Sequence, residues 1–238
     1  MTTAHDGRAA NAGTEIAGRL AAVRERIAGA ARLAGRDPAG IRLVAISKFQ
    51  PITAIRAAVA AGQLDFGENR AQELDAKLAD VPAGLRWHFV GRLQRNKVKQ
   101  VVGRVELIHS VDRVRLAEAI ASEARARDLH QRVLVQVNVA GEERKGGCAP
   151  AEAPALLERI AEFDGVSAVG LMTMPPLDAD AAAMFERLRA LRARLVSDFP
   201  QLTELSMGMS ADLEAAVAHG ATIVRIGTAI FGARPADR

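Results

Sequence analysis

From Ile41 onward, short apolar and β-branched runs alternate with alanine-rich stretches whose apolar positions recur at helical spacing. The runs predict strands at Ile41–Lys48, Leu64–Asn69, Arg86–Gly91, Leu107–Val111, Val133–Ala140, Val166–Met174, Leu205–Gly208 and Ile223–Ile230. Between them the pattern predicts helices near Ile52–Ala61, Ala71–Leu78, Asn96–Val102, Arg113–Ala126, Pro150–Glu162, Ala179–Asp198 and Ala211–His219. Gly62, Gly165 and Gly220 each fall where a helix should end before the next strand. A further helix is expected over Thr14–Ala34, where Ile16, Leu20, Val23, Ile27 and Leu33 share a face. Met1–Gly13 is small and polar with no period, and is expected to be a flexible tail.

Several strands read as nearly continuous apolar runs, as buried parallel strands do. Eight of them in strict alternation with helices predict one (β/α)8 TIM-like barrel over residues 14–238, with an extra N-terminal helix. Ile41–Gly232 allows about 24 residues per unit, compact but feasible, with no room for a second domain. The last strand has no long helix after it, and the leading helix could fill that gap. An open doubly wound sheet is the alternative, because counting elements does not show closure.

Composition narrows the function. Thirty-two basic against twenty-eight acidic residues give +4, with both signs interspersed, and aromatic residues are only 3%. A nucleic-acid binder would need a basic stripe or stacking platforms. The single cysteine, Cys148, makes neither an internal disulfide nor a thiolate zinc cluster and reads as incidental. With no apolar run of membrane length and no leader at its start, the chain is expected to be a cytoplasmic monomer that touches neither membrane nor nucleic acid. Tyrosine is absent, which removes phenolic acid–base chemistry.

Barrel chemistry sits at the C-terminal ends of the strands. Those ends offer Lys48, Asn69, His88, His109 or Ser110, Asn138, Met172 or Thr173, Ser206 and Arg225. Lys48 ends the run Leu43–Ser47, where an amine would be partly desolvated and so more nucleophilic toward carbonyls; the alternative is a lysine that snorkels out. Two glycine turns, Ser206–Ser210 and Ile226–Ala229, follow the seventh and eighth strands, where barrels often bind phosphate. Each turn alone could be only a turn, with Ser210 as a helix cap. Together with Lys48 they point to a phosphate-bearing carbonyl cofactor.

Other features carry less. Gly141–Gly147 has P-loop glycine spacing but lacks the Lys-Ser/Thr that follows it in such loops. His88, His109 and His219 show no metal-ligand spacing and read as structural. Arg92, Arg95, Lys97 and Lys99 read as a solvated helix face. Lys145, in a glycine-flanked loop after the fifth strand, could assist release of a covalently held aldehyde; the plainer reading is surface charge.

The segments Val44–Lys48, Phe66–Glu73, Trp87–Lys97, Gly170–Met172, Leu205–Asp212 and Val224–Gly232, in that order, resemble the pyridoxal phosphate (PLP) homeostasis proteins. The resemblance runs from about Ile16 to Arg234. It implies a barrel like the N-terminal domain of fold type III PLP enzymes such as alanine racemase. It also implies PLP held as a Schiff base on Lys48, with Asn69 beside the cofactor. Ser206, Gly227 and Thr228 would bind the phosphate, with Met207 in the same group of cofactor-binding residues, and Arg225 would face the pyridine nitrogen. The family is tied to controlling free PLP and supplying it to apo forms of PLP-dependent enzymes, not to catalysis. Gly147 departs from the family pattern, so the fifth loop transfers least securely. Two enzyme readings compete: a PLP-dependent amino-acid racemase or lyase, and an aldolase-type barrel whose lysine attacks substrate without a cofactor.

Overall fold

The computed structural model describes residues 3–142, 146–176 and 178–233, with side chains from residue 13. Eight parallel strands close into a barrel: β1 Arg42–Ile46, β2 Asp65–Glu68, β3 Arg86–Phe89, β4 Leu107–Val111, β5 Gln131–Gln136, β6 Val166–Met172, β7 Glu204–Ser206 and β8 Ile223–Ile226. Each strand pairs with the next, and β8 returns to β1 with Val44 opposite Arg225. Closure settles the choice against an open sheet.

The continuous apolar runs have a direct cause, since both strand faces are buried. Val44, Ile46, Leu107, Leu134, Met172 and Ile223 fill the barrel interior. Ala45, Phe66, Phe89, Ile108, Val133, Val224 and Ile226 pack in a second core beneath the helices. Because strand side chains alternate, the residues two beyond Ile46, Arg86, Leu107, Glu204 and Ile223 continue along the inner face. They are Lys48, His88, His109, Ser206 and Arg225.

The outer ring contains α1 Thr3–Leu33, α2 Ile52–Ala60, α3 Ala71–Leu78, α4 Val114–Ala126, α5 Ala153–Ala161, α6 Ala181–Leu195, α7 Leu213–Ala218 and the single turn α8 Thr228–Phe231. Helix α1 packs against α2, α7 and α8, so the leading helix fills the place after β8. Its buried stripe is Ile16, Leu20, Val23 and Ile27. Arg24 adds hydrogen bonds to the carbonyls of Ala61 and Gly62, at the end of α2. Just past α1, Arg36 bonds the carbonyls of Val217 and Ala221, around the end of α7. Cationic donors on helix-terminal carbonyls are favourable both as hydrogen bonds and against the helix dipole.

Several expected boundaries move. Helix α1 opens at Thr3 rather than Thr14, because alanine-rich sequence propagates a helix without an apolar stripe to announce it. Strand β8 stops at Ile226, not Ile230; Gly227 breaks it and Thr228–Phe231 coil. Strand β5 ends at Gln136, and Val137 beyond it forms a bridge with Cys148. The helix expected at Asn96–Val102 is a 3-10 segment, Arg95–Gln100.

Candidate functional site

At the C-terminal end of the barrel a cavity of about 350 Å³ opens between β1 and the turns after β7 and β8. Its wall includes Ile46, Lys48, Met209, Ser210, Ala211, Arg225, Gly227 and Thr228. This size suits a small organic ligand.

The β1 side is fixed by buried charge. Lys77, from α3, donates to the carbonyl of Ser47 at 2.6 Å and to Glu68 Oε1 at 2.5 Å. The same carboxylate oxygen accepts the Ser47 hydroxyl at 2.6 Å. Burial pushes the Glu68 carboxyl up, against the pull of Lys77 and Ser47. One turn earlier on α3, Glu73 accepts the Phe49 N–H at 2.9 Å. Phe49 sits at φ 62°, a left-handed conformation uncommon for a non-glycine residue. Both neighbours of Lys48 are therefore held by one helix, which orients the half-buried lysine between them.

The opposite side is held by neutral groups. Arg225 lies two residues beyond Ile223 on the inner face and is 5% exposed. It donates from Nη1 to Ser206 Oγ at 2.5 Å and from Nη2 to the Thr173 carbonyl at 2.8 Å. Burial lowers its pKa to about 10, so it is still a cation at neutral pH. The turn after β7 passes through Gly208 at φ 94°, where a Cβ would meet the Ala216 side chain at 2.5 Å. Only glycine fits there. The Arg225 N–H bonds the Gly208 carbonyl, tying this turn to β8. Ser210 Oγ accepts the Ala229 N–H at 3.3 Å. Its hydroxyl thus sits over the first turn of α8, among backbone donors that strand pairing no longer uses.

The expected site residues divide. Lys48, Arg225, Gly227 and Thr228 line the cavity together. Asn69 lies on a neighbouring hollow of about 470 Å³ that also holds Arg70, Arg92 and Lys97. Asn69 Oδ1 is a buried acceptor with no protein donor. Gly91 allows the loop after β3 to approach it, since a Cβ there would stand 2.1 Å from the Asn69 carbonyl. Ser206 and Met207 do not line the cavity. Ser206 is fully buried beneath Arg225, and the Met207 side chain turns outward into the core under the helices. In their place the turn contributes Met209, Ser210 and Ala211. The signal was in the sequence, because Ser210 lies in the same glycine turn as Ser206.

Other expectations resolve as follows. The basic stretch is solvated, with Arg92, Arg95 and Lys99 exposed and Lys97 half-buried, and Arg92 and Lys97 also border the Asn69 hollow. His219 pairs with Glu186 at 3.1 Å. Cys148 is buried, and burial pushes its thiol up to about 12, an inert state. Lys145 lies outside the described residues. Among the described residues no cluster of His, Cys, Asp and Glu could hold a metal ion, and no helix is long and apolar enough to cross a membrane.

The closed parallel barrel thus carries a lysine after β1, an arginine on β8 and glycine turns beyond β7 and β8. The family described as alanine racemase, N-terminal domain, matches residues 19–235, and the chain belongs to it. Within that class the chain belongs to the pyridoxal phosphate homeostasis proteins. It is 46% identical to the pyridoxal phosphate homeostasis protein of Pseudomonas aeruginosa over 222 residues, covering 92% of this chain and 96% of that one. It is 46% identical to the protein of the same name from Aquifex aeolicus over 223 residues, covering 91% and 97%. The solved structure of PipY from Synechococcus elongatus, with PLP bound, superposes with a TM-score of 0.79 at 40% identity, covering 91% and 100%.

Proposed function

We propose that this protein binds PLP through Lys48 and serves PLP homeostasis, holding the cofactor and supplying it to apo-enzymes without turning over amino acids. The carrying observation is that Lys48, Arg225, Gly227 and Thr228 line one cavity. The donor set fits the cofactor. The Lys48 amine would condense with the aldehyde, losing one water. The Arg225 guanidinium would donate to the pyridine nitrogen and disfavour its protonation. N–H groups of the Gly227–Ala229 turn, with the hydroxyls of Thr228 and Ser210, would hold the phosphate. The Asn69 acceptor would lie beside the ring.

When bound, PLP supplies an electron sink, which works best with a protonated ring nitrogen. An arginine there weakens it. Racemisation also needs a second proton carrier opposite the lysine, and the sequence has no tyrosine to serve. Both points favour a carrier over a racemase or lyase, and the PLP-bound relative favours it over a cofactor-free aldolase. We take residues 14–238 as the whole binding unit, the segment before it, which begins α1, as adding nothing to the site, and the protein as a cytoplasmic monomer.

The test is an absorbance spectrum of PLP-loaded protein before and after borohydride, with mass analysis of the fixed peptide. The label is expected on Lys48 and lost in Lys48→Ala. An adduct of undiminished yield on another lysine overturns the assignment. Measurable α-proton exchange of alanine in deuterated water, at ordinary enzymatic rates of about 1–1000 per second, overturns the carrier reading.

A further inference from the structure

Four hydrogen bonds run through the barrel interior and cross five strands. His88 Nε2 lies 3.3 Å from Asp65 Oδ1, and His88 Nδ1 lies 3.0 Å from His109 Nε2. His109 Nδ1 lies 2.9 Å from Ser206 Oγ, which accepts from Arg225 Nη1 at 2.5 Å. Both imidazoles and Ser206 are fully buried. Water therefore offers these rings no alternative partner.

The ends of this chain fix the protons within it. An ionised Asp65 can only accept, so His88 carries its proton on Nε2 and presents a lone pair at Nδ1. His109 must then donate from Nε2 and accept at Nδ1. Its acceptor takes the Ser206 hydroxyl proton. At the other end a guanidinium can only donate, which requires Ser206 Oγ to accept. The carboxylate end sets the arrangement, and the arginine end is compatible with it. Adding a proton to His88 would set two N–H groups against each other, and adding one to His109 would turn an N–H toward the hydroxyl proton.

We propose that Asp65, His88, His109 and Ser206 are positioning residues that hold Arg225 in a single pose at the cavity through a one-way hydrogen-bond chain from cation to carboxylate. With its own proton committed to His109, Ser206 serves Arg225 as an acceptor. It is therefore a support for the arginine and not a phosphate ligand. What Arg225 then does for a cofactor rests on the PLP reading above; the chain of protons does not.

The experiment is nitrogen NMR of the full chain with 15N-labelled histidine, without PLP and then loaded. His88 and His109 are both expected as neutral Nε2–H tautomers that do not titrate between about pH 8 and 6, across the ordinary histidine range. A charged ring or an Nδ1–H tautomer at either position overturns the proposal, whether or not the protein binds PLP. Two variants extend the test. His88→Phe keeps a ring but breaks the chain, so His109 should lose its single tautomer and the pH midpoint of the bound PLP absorbance band should move. His88→Asn places an acceptor where Nδ1 stood and should restore both readouts. If His88→Phe folds with the His109 tautomer unchanged, the chain does not set it. If it does not fold, the native tautomers together with Ser206→Ala decide. That variant keeps both rings and, read with 15N-labelled arginine, should shift the Arg225 Nη resonances, and unshifted resonances would overturn the support role.

Discussion

The two walls of the cavity are built on opposite principles. The β1 wall rests on an ion pair, because Lys77 and Glu68 meet in a buried setting and together clamp Ser47. The β7–β8 wall rests on a hydrogen-bond chain whose inner members are neutral, and Arg225 is held by a hydroxyl and a carbonyl. A paired cation has its field cancelled at close range, so Lys77 fixes backbone and does little else. A cation held by neutral acceptors keeps its field, and Arg225 presents it to the cavity. One wall sets where the amine stands; the other sets the charge it faces.

The largest effect should come from breaking the ionic wall. Lys77→Met would leave Glu68 buried without its cation, and such half-pairs cost about 3–5 kcal/mol. Chemical denaturation should show that loss. The double variant Lys77→Met/Glu68→Gln should recover more than half of it, since neither buried charge then remains. If Lys77→Met is nearly neutral, the pair is not what holds this wall.

Acid should find the other wall first. Burial lowers the pKa of His88, against Asp65, and lowers that of His109 further below its ordinary value. Arg42, Glu106 and Arg225 also act on this pair of rings. In the unfolded chain both histidines take up protons as the pH falls through about 6.5, while the folded chain keeps them neutral. The unfolded state then binds more protons, so stability drops with falling pH. The slope approaches about 2.7 kcal/mol per unit once both are protonated in the unfolded chain. Burial pushes the Asp65 carboxyl up, but bonds from His88 and Arg86 outweigh it and leave it at about 2. Its contribution therefore persists through this window and is lost only below about pH 4. Unfolding profiles of the native chain and His88→Phe between pH 7 and 5 should differ in slope by about one proton. Parallel profiles would mean that His88 is protonated in the folded state.

These walls differ too in how far the sequence discloses them. Lys48 and Arg225 were legible because each extends the inner-face alternation of an apolar strand, where a charged residue stands out. Eight buried runs and a leading helix with an apolar stripe favoured a barrel, but closure itself was not legible, because counting elements does not separate it from an open sheet. Lys77 was not legible. Nothing in Ala71–Leu78 marks it as buried, and the approach of α3 to the end of β1 is what encloses it. His88 and His109 read separately as structural because their meeting depends on the stagger of β3 against β4. Ser206, beneath Arg225, and Ser210, on the cavity wall, were not distinguished, because the sequence does not show how far Gly208 turns the chain.

The smallest predicted effect tests that last distinction. Ser210 Oγ rests 3.3 Å from the Ala229 N–H at the start of α8, on the cavity surface, whereas Ser206 Oγ is enclosed between His109 and Arg225. If the phosphate sits in the turn that begins at Gly227, Ser210→Ala removes one neutral donor from it. A single hydrogen bond of this kind is worth about 1 kcal/mol, or about a fivefold loss of PLP affinity. Pyridoxal has no phosphate, so its affinity should not change in the same variant. Ser206→Ala should act on both aldehydes alike, because it disturbs Arg225, which would face the ring nitrogen, and leaves the cradle intact. Equilibrium titration of the two ligands against the two variants gives four numbers. A selective loss of PLP binding in Ser206→Ala, with Ser210→Ala unaffected, would exchange the roles of the two serines and return Ser206 to the phosphate.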